Sequence, residues 1–189
     1  LEKEYKNSWE YIKSSRNFVW VVIAIFVVSA FSAILFPTPD QVSQQINQFM
    51  QEIVEKTKGM SASELSGYIF LNNLQSSFMG VALGIVLGIF PVIFAISNGY
   101  IIGFVANMSV EEEGILSLWK LLPHGIFELP AVFISFALGL RLGSSLINKD
   151  EFGSLKENLV KSGKTFLLII IPLLVIAAII EGVLIFLGR

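Results

Sequence analysis

The 189-residue sequence predicts an all-α, polytopic helical membrane protein with about five transmembrane helices and one extracytosolic amphipathic helix. Three observations carry this. Hydrophobic residues make up 54% of the chain and charged residues only 15%, where a soluble domain carries about 25% charged. The apolar residues come in runs of about 20, the length that crosses a hydrocarbon core roughly 30 Å thick. Those runs do not alternate in polarity, and they exceed the roughly 10 residues of a barrel strand. The absence of cysteine removes disulfides, thiol nucleophiles and thiolate metal sites. A net charge of -2 gives no basis for nucleic-acid binding.

The chain reads as a single membrane domain, 1–189. Residues 1–16 mix Lys3, Lys6, Lys13 and Arg16 with Glu2, Glu4 and Glu10. Tyr5, Trp9, Ile12 and Arg16 fall at helical spacing, which predicts a cytosolic, interfacial helix with Trp9 and Tyr11 at the headgroups. A solvated basic flank is the alternative. Residues 17–36 form span one, too long for a signal-peptide core and without a small-residue cleavage site, hence uncleaved. Residues 37–66 hold the outer amphipathic helix. Thr38 suits a cap, Pro39 the first helical position and Asp40 the positive dipole end. Val42, Ile46, Phe49, Met50, Ile53 and Val54 then form one apolar stripe, and Gly59 suits a stop. The stripe suits packing over the bundle or on the membrane, with a partner groove as the alternative.

Residues 69–108 are almost uncharged and too long for one crossing. They divide into spans at 68–90 and 91–108, with a tight turn near Pro91. A single long span followed by a re-entrant half-helix from Gly99 is the alternative. Glu111, Glu112 and Glu113 mark an exposed loop. Residues 129–147 form span four, 148–164 a cytosolic basic loop and 165–187 span five. Arg141, at the inner end of span four, is expected to snorkel. With the N-terminus inside, nine Lys/Arg lie inside and four outside: Lys56, Lys58, Lys120 and Arg189. Merging 69–108 into one crossing reverses that balance, so the positive-inside rule favours five spans with the C-terminus extracytosolic.

Small residues recur in these spans. Gly80, Gly84 and Gly88 share one helix face, as do Gly139 and Gly143, and Gly99 and Gly103. Such stripes let backbones approach closely. Packing within the chain is the first reading, and a homodimer face along the Gly80 stripe the second. Residues 82–88 also match 137–143 as a weak internal repeat. Extended backwards, it pairs Phe78 with Phe133 and Asn73 with Glu128.

The polar residues of the apolar runs are the candidate site. His124, the only histidine, lies four residues before Glu128, so a continuous helix puts both on one face. The alternative is a local pair that anchors the turn. Glu181 sits well inside span five, where insertion scales charge about 2.5–3.5 kcal/mol for a central carboxylate, which therefore needs a partner. In the five-span topology Glu181, His124, Glu128, Asn72 and Asn73 fall at one outer depth, and Asn98 is a further candidate. They predict an extracytosolic-side polar or ion site, with any metal unassigned. One histidine and two glutamates are too few for a metal hydrolase, and there is neither an H-E-x-x-H nor a G-x-S-x-G motif. No enzymatic activity and no cofactor are expected. The partners expected are the lipid bilayer, a second copy of the chain, or a membrane or cell-envelope protein.

These residues resemble the stage II sporulation protein M family. The resemblance rests on Pro123-His124-Gly125-Ile126-Phe127-Glu128-Leu129-Pro130, followed by Ala131 and Gly139-Leu140-Arg141. Asn98-Gly99, Ile171-Pro172 and Ala177 to Glu181 also fit. It covers nearly the whole chain, least well 37–66. The resemblance implies a polytopic membrane scaffold rather than an enzyme. It also implies that His124, Glu128 and Glu181 matter. Sporulating members act in membrane migration during engulfment, in a complex with cell-wall hydrolases. Relatives occur in organisms that neither sporulate nor have such walls.

Overall fold

A computed structural model describes residues 1–121 and 128–187. Among these, every regular element is helical. Helix α1 (Glu2–Ser14) and α2 (Arg16–Leu35) are separated by Ser15 alone. Helix α3 spans Asp40–Thr57 with Pro39 as its N-cap. Thr38 does not cap it: the Thr38 hydroxyl instead accepts a hydrogen bond from Tyr100 Oη at 3.1 Å. The chain then turns at Gly59, whose φ of 81° suits glycine. Helix α4 (Ala62–Ala82) opens on a capping box between Ser61 and Glu64.

The break after α4 falls earlier than the sequence suggests. A 3-10 turn at Leu83–Ile85 ends the helix, and Leu87 (φ 52°) and Gly88 (φ 73°) are left-handed. Helix α5 (Ile89–Glu113) begins before Pro91, which sits in its first turn, where a missing N–H is tolerated. The spans at 68–90 and 91–108 thus become helices 62–82 and 89–113. Helix α5 continues through Gly99 without a re-entrant break. It also takes in Glu111 to Glu113 as an exposed final turn rather than a loop.

A 3-10 turn (Ile115–Leu121) follows α5, and helix α6 spans Leu129–Ile147. The basic segment 148–164 is helical rather than a loop. It comprises α7 (Lys149–Phe152) and α8 (Leu155–Thr165), capped by the Asn148 and Ser154 side chains and parted by Gly153 at φ 82°. Helix α8 passes through a π-turn (Phe166–Ile170) into α9 (Ile171–Leu187). Pro172 explains the wide turn: it has no N–H, and its ring collides with the carbonyl four residues back.

Glycines set the helix crossings. A Cβ at Gly99 or Gly103 would strike the backbone of Phe26 or Ala30, so α2 and α5 pack backbone to backbone in parallel. Ser29 Oγ adds a hydrogen bond to the Ile96 carbonyl at 2.7 Å. Gly80 faces the Phe136 ring, Gly84 the Gly139 backbone, and Gly143 the backbone of Leu87 and Gly88. Helices α4 and α6 are therefore parallel, in the register of the internal repeat, and the Gly80 stripe is occupied within the chain. Helix α9 runs antiparallel to α4. Gly182 lies on Ser66, and the Phe78 and Phe166 rings meet edge to face at 5.9 Å.

Among the described residues, four segments are long and apolar enough to cross a membrane: Arg16–Leu35, Ile89–Glu113, Leu129–Ile147 and Lys149–Leu184. Helix α4 is also long, at 21 residues, but carries Asn72, Asn73, Gln75, Ser76 and Ser77. The outer face of α2 exposes Trp20, Val28, Phe31 and Leu35, as a lipid-facing helix requires. The protein is an all-α polytopic membrane protein. Helices α1, α7 and α8 gather at one end of the bundle. Helix α3 covers the other, with Ile46 buried against Ala33 and Phe104. Val42 and Met50 pack beside it, while Phe49 and Val54 of the same stripe stay exposed.

Candidate functional site

The residues expected to form an outer polar site divide by level. His124 lies outside the described residues. Glu128, at the start of α6, is buried, and so is Asn73 on α4. The parallel register that sets Gly84 against Gly139 and Gly88 against Gly143 carries Asn73 to the level of Glu128. Glu181 of α9 is half-buried. It precedes Gly182, which packs on Ser66, seven residues nearer the start of α4 than Asn73. At 1.5 Å per residue the two levels are about 10 Å apart along the helix axis. Asn72 is exposed. Asn98 donates its amide to the Phe94 carbonyl of its own helix at 2.7 Å, which is a local bond on α5. Among the described residues no three His, Asp or Glu side chains cluster as metal ligands.

A more tightly organised polar centre lies at the opposite end, around Arg141. Its Nη1 donates to Ser14 Oγ at 2.6 Å and to Ser15 Oγ at 2.8 Å, and its Nε to Asn158 Oδ1 at 3.1 Å. The guanidinium lies 4.5 Å from the centroid of the Tyr11 ring, a cation–π contact. Tyr11 Oη donates to Asn158 Oδ1 at 2.9 Å and lies 3.3 Å from Ser162 Oγ. The Asn158 amide donates to the carbonyls of Phe152 and Ser154. Asn158 thus fills both acceptor and both donor positions. A completed network of this kind fixes one arrangement of α1, α6 and α8.

Arg141, expected only to snorkel, also binds three side chains and an aromatic ring. Tyr11 does not sit at the headgroups with Trp9, because it is 4% exposed. The face of α1 that docks on the bundle is Ser8, Tyr11 and Ser15, all buried, while Tyr5 and Trp9 remain exposed. Burial pushes the Tyr11 hydroxyl above its ordinary pKa, against the opposing pull of Ser162 and Arg141.

Beside this centre, α1 and α8 enclose an open cavity of about 760 Å³. Ser8 and Tyr11 lie within it, and Glu4, Glu10, Glu157, Lys156, Lys161 and Lys164 stand around it. Lys164 pairs with Glu4 at 2.7 Å and Lys161 with Glu157 at 2.6 Å. These pairs hold both carboxyls below the usual glutamate range.

Residues 20–184 match the family described as Stage II sporulation protein M. The chain belongs to that family. Two uncharacterized proteins of Methanocaldococcus jannaschii are similar to it. One is 31% identical over 146 residues, 75% of this chain and 66% of the relative. The other is 36% identical over 119 residues, 60% of this chain and 66% of the relative. The chain thus spans a little under two thirds of the curated relatives it matches. No solved structure matches it.

The stage II sporulation protein M match takes in Arg141, Asn158 and Ser162 but begins after Tyr11. In this member of the family, therefore, α1 docks onto the matched region from outside it. The sequence held a signal for this contact. Asn158, Ser162 and Thr165 recur at i, i+4 and i+7, a buried polar stripe inside what reads as a basic loop. Its cause is tertiary: Tyr11, 147 residues away, supplies the partner.

Proposed function

We propose that this stage II sporulation protein M-like protein is a membrane scaffold or assembly factor without enzymatic activity. It would sit in the cell membrane with its N-terminus cytosolic and its C-terminus extracytosolic. The observation that supports this most is the fit at the helix crossings. Backbone meets backbone at Gly84 and Gly139, at Gly143 and Gly88, and at Gly99 and Phe26. Interfaces this close favour a fixed body over one whose helices slide to open a path. On that body α3 presents Phe49 and Val54, both exposed, to a membrane or cell-envelope protein or to a second copy of the chain. The test is cross-linking in native membranes with the tagged full chain. A specific co-purifying protein, lost on Phe49→Ser and Val54→Ser, supports the reading. Recovery of the chain alone under the same conditions counts against it.

The second reading is a channel or transporter for protons, metal ions or a small solute, using His124, Glu128 and Glu181. It draws on the burial of Glu128 and Asn73 at one level of neighbouring helices. Ionisable groups inside a membrane bundle mark such pathways. Liposome flux decides it: the scaffold reading expects none above background, in wild type and Glu181→Gln alike.

A further inference from the structure

The cavity between α1 and α8 has the features of a lipid headgroup site. Three lysines (156, 161, 164) and three glutamates (4, 10, 157) surround it, and Glu10 also pairs with Lys13 at 2.9 Å, so its rim offers groups of both signs. The ion pairs between them are solvent-exposed, and such pairs contribute only about 0–1 kcal/mol. A ligand carrying both a phosphate and an ammonium group can take over the two halves of these pairs at little cost. A purely anionic ligand would meet the glutamates uncompensated. In the cavity wall Ser8 is 4% exposed, and its Oγ, which a side-chain rotation would bring to the cavity, has no hydrogen-bond partner among the described residues. A buried hydroxyl left so is costly, and a phosphate oxygen satisfies it.

The surroundings point to a lipid rather than a soluble compound. Val160 lines the cavity and is 53% exposed, and Leu167, two turns along, is 64% exposed. Both lie on the stretch of chain that runs from the cavity into α9. Tyr5 and Trp9 of α1 are exposed aromatics of the type that settles at headgroup level.

We propose that this cavity binds a phospholipid with a primary-amine zwitterionic headgroup, the phosphate held by the lysines and Ser8 and the ammonium by the glutamates. The test is thermal unfolding of the full chain in detergent. The added probes are dioleoyl-phosphatidylethanolamine, dioleoyl-phosphatidylcholine, dioleoyl-phosphatidylglycerol or free phosphoethanolamine. The ethanolamine lipid is expected to raise Tm at about tenfold lower concentration than the others, the scale of one charge-assisted hydrogen bond. The trimethylated choline lipid cannot donate to the glutamates. Lys156→Gln and Ser8→Leu should each abolish the preference. If Ser8→Leu does not fold, Lys156→Gln with Glu10→Gln, both exposed, carries the test. Equal response to all three lipids overturns the proposal, as does a preference for the glycerol lipid or one that survives the variants. An equal effect of free phosphoethanolamine overturns the lipid assignment.

Discussion

Arg141 and Tyr11 join three helices through one guanidinium and one phenol. Arg141→Met removes three hydrogen bonds to a charged group, each worth about 1.5–3 kcal/mol when well shielded. Arg141 is half-buried and its bond to Ser14 is exposed, so solvent screening reduces the total loss to about 2 kcal/mol, the worth of one shielded bond. The loss should appear as faster tryptic cleavage at Lys6 and Lys13, with the rest of the bundle still resistant. Tyr11→Phe keeps the ring under the guanidinium and deletes only the hydroxyl, so its effect should be about 1 kcal/mol. Tyr11 also sets a pH limit. Its folded pKa is raised above the ordinary value of 10.0, so the folded state holds this proton more tightly than the unfolded chain does. Its contribution is therefore complete below pH 10 and falls as the pH rises past it. Tryptic release of α1 should increase above pH 10 in wild type and not in Tyr11→Phe.

At the scale of elements, the glycines do different work according to what faces them. Gly84 and Gly139 meet opposing backbone, which cannot move aside as a side chain can. Gly84→Ala or Gly139→Ala should destabilise by about 1–3 kcal/mol through overpacking. Gly163 also lies in a helix, α8, but a Cβ there meets nothing within 4 Å. Gly163→Ala should stabilise by about 0.5–1 kcal/mol, the helix-propensity difference alone. Thermal unfolding in detergent checks both, and equal effects at the two kinds of glycine would refute the crossing geometry. Helix α3 shows how a stripe can be shared. Its Ile46 edge seals the ends of α2 and α5, while Phe49 and Val54 remain outside. Its periodicity is legible in sequence. Which edge of it packs depends on where α2 and α5 end.

For the whole molecule, the helix directions place α1, α7 and α8 at one end of the bundle and α3 at the other. The absence of cysteine makes the sidedness measurable with single substitutions. Lys6→Cys and Lys149→Cys should react with an impermeant maleimide only after the cytosolic face is opened. Lys56→Cys and Glu112→Cys should react in intact cells. Labelling of all four from one side would overturn the proposed topology.

Composition and run length alone determined that this is a helical membrane protein, because hydrocarbon satisfies no backbone polar group and leaves helices as the solution for such runs. Sequence also located α3 by its period and, through the Pro123 to Pro130 string, pointed to the family. The repeat at 82–88 and 137–143 even carried the register in which α4 and α6 pack. Tertiary structure decided the rest. The helix ended at Ala82 rather than at Pro91, through a 3-10 turn and left-handed Leu87 and Gly88, at the level where Gly84 and Gly88 meet the backbone or side chains of α6. The segment 148–164 became two helices because Asn148 and Ser154 cap them and α8 has α1 to pack against. Arg141 and Tyr11 look like interface residues in a one-dimensional reading, since each is amphipathic and near a span end. Tyr11 is buried and Arg141 half-buried because Asn158 meets Tyr11, and Ser14 and Ser15 meet Arg141, from distant parts of the chain, and partners that far apart in sequence leave no local pattern.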